Sequence, residues 1–164
     1  MISGDTATSP FQRMAMLLLA TALVVFHLGL IFSGLVPNLV SRPLHLALAL
    51  PWIFIFAKGG FLTRVSGAIL CAAGVAVCLW IVANQSALSD QYGFLEGDFQ
   101  FWMAGTLLLV VLEGARRAIG WPLPVVAALA LAYGMFGQHI PGEFGHSGTP
   151  LASFLGTLTI AEGG

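Results

Sequence analysis

The chain has 164 residues, of which 58% are hydrophobic and 8% are charged, with six Lys or Arg against seven Asp or Glu. Soluble domains carry about 25% charged residues. This composition excludes a soluble globular enzyme, a disordered chain and a nucleic-acid-binding protein, which needs a basic patch. Two cysteines also exclude a disulfide-rich secreted scaffold. The sequence therefore predicts an integral membrane protein.

Five apolar stretches, four of them uncharged, predict spanning helices, because about 20 residues at 1.5 Å each cross a hydrocarbon core of ~30 Å. The second stretch is the weakest. It reaches 20 residues only if it starts near Asn38 and Arg42 extends to the headgroups, and Pro51 within it predicts a kink. In chain order, the five stretches are residues 14–36, 43–57, 65–84, 99–114 and 121–137.

These stretches predict an all-α integral membrane protein: a four-helix transmembrane bundle, a fifth spanning (linking) helix and a short C-terminal amphipathic helix. Thr149 before Pro150 predicts the start of that last helix, with Thr149 as N-cap and Pro150 at the first helical position. Helical spacing of Leu151, Phe154, Leu155 and Leu158 predicts an apolar face, which lies at the membrane surface or against a partner. The predicted regions are a cytoplasmic N-terminus at 1–13, a four-helix domain at 14–117, the fifth span at 118–138 and an extracytoplasmic tail at 139–164.

Basic residues predict the orientation in the membrane, because positively charged loops stay in the cytoplasm. With five spans and a cytoplasmic N-terminus, the outer side carries Arg42 alone. The inner side carries Arg13, Lys58, Arg64, Arg116 and Arg117. We therefore predict a cytoplasmic N-terminus and an extracytoplasmic C-terminus. A four-span arrangement would instead place the tail in the cytoplasm.

Two histidines raise the alternative of a redox function. His27 lies in the middle of the first stretch and His45 near the outer edge of the second. Histidines on neighbouring helices are candidate haem ligands, and a haem would make the chain a membrane-anchor subunit of a haem- or quinone-linked redox enzyme. Axial ligands must lie at similar depth, however, and these two do not. We favour buried histidines that hydrogen-bond neighbouring helices, and we predict no metal or cofactor bound by this chain.

Cys71 and Cys78 are seven residues apart and share one helix face. This spacing on one helix does not suit a disulfide, whose Cα atoms lie within ~7 Å. Small residues allow close helix contact in membranes. The cysteines therefore predict a small-residue packing face together with Gly67, Ala68, Ala72 and Gly74.

Glu113 precedes Arg116 and Arg117 by three and four residues, which is the spacing of helical ion pairs. An acidic residue inside a membrane helix is a candidate for proton or ion transfer. Here it lies at the predicted cytoplasmic end of a span with two cations in reach, so an ion-paired helix end is the simpler interpretation. The shortage of other intramembrane charges also disfavours a stand-alone transporter.

The predicted outer loop at 85–98 contains no Lys or Arg. It predicts either a solvated loop or an acidic face for docking an extracytoplasmic partner. Its candidate contact residues are Asp90, Tyr92, Glu96 and Asp98.

The second half of the chain carries a series of short motifs in a fixed order. They are Tyr92-Gly93, Asp98, Leu112-Glu113, Arg116-Arg117, Gly120-Trp121, Tyr133, Phe136-Gly137, Pro141-Gly142 and His146. With these motifs the chain resembles the N-terminal part of the permeases of tripartite ATP-independent periplasmic (TRAP) transporters that use TAXI-type receptors. Residues 42–46 also resemble the start of that family's second helix.

The resemblance implies that the chain is not an enzyme but the small, Q-type scaffold subunit of a sodium-coupled transporter in the bacterial inner membrane, where it braces the large transport subunit. It implies two partners: a large multi-span TRAP subunit, which holds the Na+ and substrate sites, and a periplasmic TAXI-type substrate-binding protein. Small organic acids are the expected substrates. The family's fused permeases continue past Glu162, so we expect either a separate subunit or part of a fused permease. The expected partner contacts are Glu113, Arg116, Arg117 and Arg42, and the expected receptor-facing residues are those of the loop at 85–98.

Overall fold

A computed structural model describes residues 9–34, 36–56 and 59–162, and this part of the chain is helical with no strand. The predicted all-α class is therefore confirmed. The helices are α1 (Pro10–Ser33), α2 (Asn38–Phe54), α3 (Phe61–Ala83), α4 (Gln85–Ser89), α5 (Gly97–Ile119), α6 (Pro122–Phe136) and α7 (Leu151–Thr159), with a 3-10 turn at Gly137–His139.

Three of the described helices are long and apolar enough to cross a membrane: α1, α3 and α5. Their 23 or 24 residues extend ~35 Å. The second and fifth predicted spans also exist as helices, but α2 has 17 residues and α6 has 15. These lengths correspond to ~25 Å and ~22 Å, less than the ~30 Å of a hydrocarbon core. The structure thus agrees with a membrane protein and gives three spanning helices by length and composition.

Some predicted boundaries are wrong. The fourth predicted span does not end near Gly114, because α5 continues through both arginines to Ile119. Residues 115–118 are good helix formers, and the ion pairs favour continuation of the helix. The predicted loop at 85–98 contains α4 and the first two residues of α5.

One detail involving a proline also differs from the prediction. The N-cap of α7 is Pro150, not Thr149, and no side chain caps that helix. Pro51 lies inside α2, in its last turn, and the kink at Pro51 stays a prediction. The predicted inner charge Lys58, the predicted second-span end at Ala57 and most of the predicted N-terminal region lie outside the described residues.

α1 belongs to a compact unit at Met1–Val36. Ser9 and Gln12 form a capping box: the Ser9 hydroxyl accepts from the Gln12 amide at 3.2 Å, and the Gln12 side chain accepts from the Ser9 amide at 3.1 Å. Gly34 ends the helix with φ 61°, a left-handed conformation that glycine adopts without strain. α1 therefore begins and ends earlier than predicted.

The second unit is Pro37–Gly164, and α2, α3 and α5 pack together at its centre. We call one end of these helices the α4 end; it comprises Asn38, Ala83, α4 and Gly97. The opposite end, which we call the Arg117 end, comprises Phe54, Phe61 and Ile119.

Gly74 marks a close approach of the three central helices. A Cβ at Gly74 would lie 2.6 Å from Leu50 Cδ1 of α2 and 2.9 Å from Val110 Cγ1 of α5. The buried face of α3 consists of Gly67, Cys71, Gly74, Cys78 and Ile81. The predicted small-residue face is thus confirmed for its glycines and cysteines, both thiols are free, and Ala68 and Ala72 are exposed instead.

α7 packs against α5 of its own chain. The predicted amphipathic helix is therefore confirmed as a helix, but its buried face is Leu155, Gly156 and the following Ile160. Asn38 Nδ2 donates to the carbonyl oxygen of Glu162 at 2.9 Å, and Ser89 Oγ donates to the Glu162 carboxylate at 2.9 Å. These hydrogen bonds fasten the end of the described chain to the α4 end.

Candidate functional site

The strongest cluster of charged side chains lies on the last two turns of α5. Nε and Nη2 of Arg116 donate to the two carboxylate oxygens of Glu113 at 2.6 and 2.7 Å, and Nε of Arg117 donates to Oε1 at 2.7 Å. This confirms the predicted ion-paired helix end. With three charge-assisted hydrogen bonds, the carboxylate serves as a fixed counter-ion for both guanidinium groups.

Arg117 points into the bundle and joins three helices. Its Nη1 donates to the carbonyl oxygen of Thr63 at 3.2 Å, and its Nη2 donates to Ser66 Oγ at 2.9 Å. Its Cζ lies 5.0 Å from the ring centroid of Phe54, within the range of a cation–π contact. The side chain is only 11% exposed. One arginine of α5 therefore fastens the start of α3 and the end of α2.

Gly67 allows this junction to form. A Cβ at Gly67 would collide with the carbonyl oxygen of Phe54 and lie 3.0 Å from Nη1 of Arg117. A larger residue would therefore separate α2 from α3 and displace the guanidinium. The requirement for glycine here comes from close backbone approach.

Arg116 points in a different direction from its neighbour. Its Cζ lies 5.3 Å from the ring centroid of Trp121, the residue before α6, and its side chain is 35% exposed. It therefore links α5 to the start of α6 while presenting a charge at the surface. Of the three predicted contact residues in this cluster, Arg116 is the most exposed.

Arg42 does not join this cluster. It lies near the start of α2, on the α4 side of the bundle, where it lines a cavity of about 250 Å³ between α2, α5 and the α7 region. The four predicted partner contacts thus divide into a charged junction at the Arg117 end and one arginine near the other end.

The predicted receptor-facing residues are all exposed and lie in or beside the connection from α4 to α5. They are Asp90, Tyr92, Glu96 and Asp98. Tyr92 is 84% exposed and has φ 50°, an uncommon conformation for a non-glycine residue. Gly93 follows with φ 86°, and its carbonyl oxygen would collide with a Cβ at Gly156 of α7. Contact with α7 therefore holds this turn in position.

Several motif residues between α6 and α7 also contact one another. Tyr133 Oη donates to the carbonyl oxygen of Phe144 at 2.8 Å, and the Tyr133 and His146 rings lie 4.8 Å apart, edge to face. A Cβ at Gly137 would collide with the His146 ring. These contacts hold the connection between α6 and α7 against the end of α6. In the sequence the same residues were separate motifs with no predicted contact between them.

The two histidines of the redox alternative lie in separate units. Nδ1 of His27 donates to the carbonyl oxygen of Leu23 at 2.7 Å within α1, and His45 lies on an exposed side of α2. Among the described residues, no group of three or more His, Cys, Asp or Glu side chains is placed to hold a metal ion.

Sequence reasoning missed the partners of Arg117. Thr63, Ser66 and Phe54 are more than 50 residues away in the chain, and none belongs to a charged motif. The available signal was Gly67 on the small-residue face, since a glycine there marks a close helix approach. Gly67 therefore indicates where two helices come close, but it does not identify Arg117 as the residue in contact.

Comparison of the chain with protein-family models, with curated proteins and with solved structures finds no match.

Proposed function

We propose that this chain is a membrane-embedded scaffold subunit of a sodium-coupled TRAP transporter with a TAXI-type receptor. One observation supports the proposal most directly: the motif residues on which the resemblance depends contact other parts of this chain. The Glu113 cluster fastens helices, the turn at Gly93 seats α7, and Tyr133 and His146 organise the connection after α6. Such contacts suit a rigid brace.

The proposed mechanism is mechanical. A brace must keep its shape while its partner moves, and this unit is fastened at both ends: by Arg117 at one and by Glu162 at the other. α6 offers a nearly uninterrupted apolar surface, with Leu123, Val126 and Leu129 among its exposed side chains. In the proposed complex, lipid and the large subunit cover this surface. That subunit holds Na+ and the small organic acid delivered by the receptor.

The proposed topology has five crossings, a cytoplasmic N-terminus and an extracytoplasmic C-terminus in the bacterial inner membrane. α6 supports the fifth crossing. It starts beside Arg116 at the Arg117 end. Its last turn contacts the residues just before α7, where the Thr149 amide donates to the Gly134 carbonyl at 3.0 Å. α7 in turn leads to Glu162 at the α4 end. The 3-10 turn at Gly137–His139 lengthens the crossing beyond α6 itself.

The test is co-purification of the tagged chain with products of its neighbouring genes, together with an uptake measurement. We expect a one-to-one complex with a large multi-span protein. Arg116→Glu should weaken that complex and reduce uptake, because it reverses an exposed charge beside α6. Arg64→Glu is the matched control, since Arg64 is an exposed arginine near the start of α3.

A folded chain that purifies alone, or a complex and uptake unchanged by Arg116→Glu, would contradict the proposed role. A haem absorption band in the same preparation would instead favour the redox-anchor alternative.

A further inference from the structure

The cavity beside Arg42 has the dimensions and lining of a binding groove for part of a lipid chain. Its wall is apolar over most of its length, with Leu46 from α2, Leu108 and Val111 from α5, and Leu158 from α7. Its volume is about 250 Å³, and with this aliphatic lining it suits part of a single alkyl chain.

The depth of the groove can be read from the packing of the central helices. Leu50 packs against Gly74 and near Val110. Gly74 is the fourteenth residue of α3 and Val110 is the fourteenth residue of α5, and each of these two helices has 23 residues. The level of Leu50 is therefore close to the middle of α3 and α5. Arg42 precedes Leu50 by eight residues of α2, which is ~12 Å along the axis.

Half of a hydrocarbon core is ~15 Å thick. Arg42 therefore lies at the edge of the core, where the glycerol and phosphate of a phospholipid begin. Val111, at the other limit of the groove, follows Val110 and lies near the middle level. The groove thus extends from headgroup depth towards the bilayer centre, as an acyl chain does.

Arg42 is the charged side chain that lines the groove, and its positive charge favours an anionic lipid. Of the described residues in the second unit, Arg42 is the one Lys or Arg on the α4 side. The Asn38 amide, which also lines the groove, donates to the Glu162 carbonyl. A guanidinium carries five N–H donors and binds phosphate well, so a phosphate contact is compatible with other contacts of Arg42.

We propose that this groove binds one acyl chain of an anionic phospholipid, whose phosphate contacts Arg42. The inference rests on the membrane insertion in the proposed function and is independent of the transporter complex. It assigns Arg42 to lipid, whereas the family resemblance placed it at the contact with the large subunit.

The test uses the full chain purified in detergent. Binding of phosphatidylglycerol and of phosphatidylcholine with the same acyl chains is measured by native mass spectrometry, and thermal unfolding is followed by tryptophan fluorescence. We expect phosphatidylglycerol to bind more tightly and to raise the midpoint of unfolding. Arg42→Gln should weaken phosphatidylglycerol binding by about tenfold, because it removes a charge-assisted contact. It should weaken phosphatidylcholine binding much less, because the choline ammonium already offsets the charge of that phosphate. Arg64→Gln is the matched control.

A second variant tests the groove itself. Val111→Phe places a larger side chain in the groove at a position that is 44% exposed, so the helix core is little disturbed. We expect weaker binding of both lipids. Equal phosphatidylglycerol binding by the native chain and Arg42→Gln would overturn the proposal, and so would an equal stabilisation by inorganic phosphate. Extraction of the chain from membranes by alkaline carbonate would instead refute the membrane insertion on which the proposed function depends.

Discussion

At the scale of single residues, the adjacent Arg116 and Arg117 have different structural roles. Arg116 and Arg117 share the carboxylate of Glu113, but Arg117 is 11% exposed and contacts α2 and α3, whereas Arg116 is 35% exposed and contacts Trp121. Consecutive helical residues point about 100° apart because a turn holds 3.6 residues. Arg117 therefore holds helices together inside the bundle, whereas Arg116 presents a positive charge at the surface.

Arg117→Gln should lower the free energy of unfolding by about 1–3 kcal/mol, because it removes charge-assisted hydrogen bonds to the Thr63 carbonyl and to Ser66. Thermal unfolding in detergent, followed by tryptophan fluorescence, measures the effect. Arg116→Gln is the matched control and should change the midpoint much less. Equal effects of the two variants would contradict the inward role of Arg117.

Gly74→Ala should destabilise the bundle by about 1–3 kcal/mol, the usual cost of overpacking. The added methyl group would lie 2.9 Å from Val110 Cγ1, and a β-branched side chain in a helix has little freedom to move away. Gly105→Ala on α5 is the control, because nothing lies within 4 Å of its Cβ position. Alanine should be neutral or stabilising there. Equal unfolding midpoints for the two variants would contradict the close approach at Gly74.

At the scale of elements, α7 and the turn at Gly93 support each other. The turn contains an exposed tyrosine at φ 50°, and the Gly93 carbonyl lies directly against Gly156. Strained backbone persists where surrounding contacts hold it in place. The docked helix therefore fixes the direction in which Tyr92 projects from the surface.

Gly156→Ala should release α7 from the bundle, because its Cβ would collide with the Gly93 carbonyl. Hydrogen exchange of the amides in Leu151–Thr159 should then become faster, as should exchange in the turn at 90–95. Thr157→Ala changes the exposed neighbouring position and should leave exchange as in the native chain. If amide exchange in Gly156→Ala is as slow as in the native chain, the contact between Gly156 and the Gly93 carbonyl does not hold α7 in place.

The elements also show what the sequence could predict. Helical spacing predicted the ion pairs of Glu113, because both partners lie within four residues on one helix. Composition predicted α1, α3 and α5. The contacts of Arg117 with α3 and of Gly156 with the Gly93 turn join residues more than 50 positions apart. Periodicity within one helix carries no information on such pairs, and α4 is too short to produce a periodic signal.

At the scale of the whole molecule, the number of crossings is open to a direct measurement. In a background with Cys71 and Cys78 replaced by serine, we expect membrane-impermeant maleimide to label Ala87→Cys and Glu143→Cys from the periplasmic side. Leu62→Cys should be labelled only after the cells are opened. All three positions are exposed in the structure. Labelling of Ala87→Cys and Glu143→Cys from opposite sides would show that α6 does not cross.

The hydrogen bond between Asn38 and Glu162 has a consequence for biosynthesis. Its two partners are 124 residues apart in the chain. At 5–20 residues per second, the ribosome delivers the second partner roughly 6 to 25 s after the first. During this interval α2, α3 and α5 are made, but the α4 end lacks its contact with Glu162. The nascent chain therefore depends on the insertion machinery or on neighbouring lipid to prevent misassembly until α7 emerges.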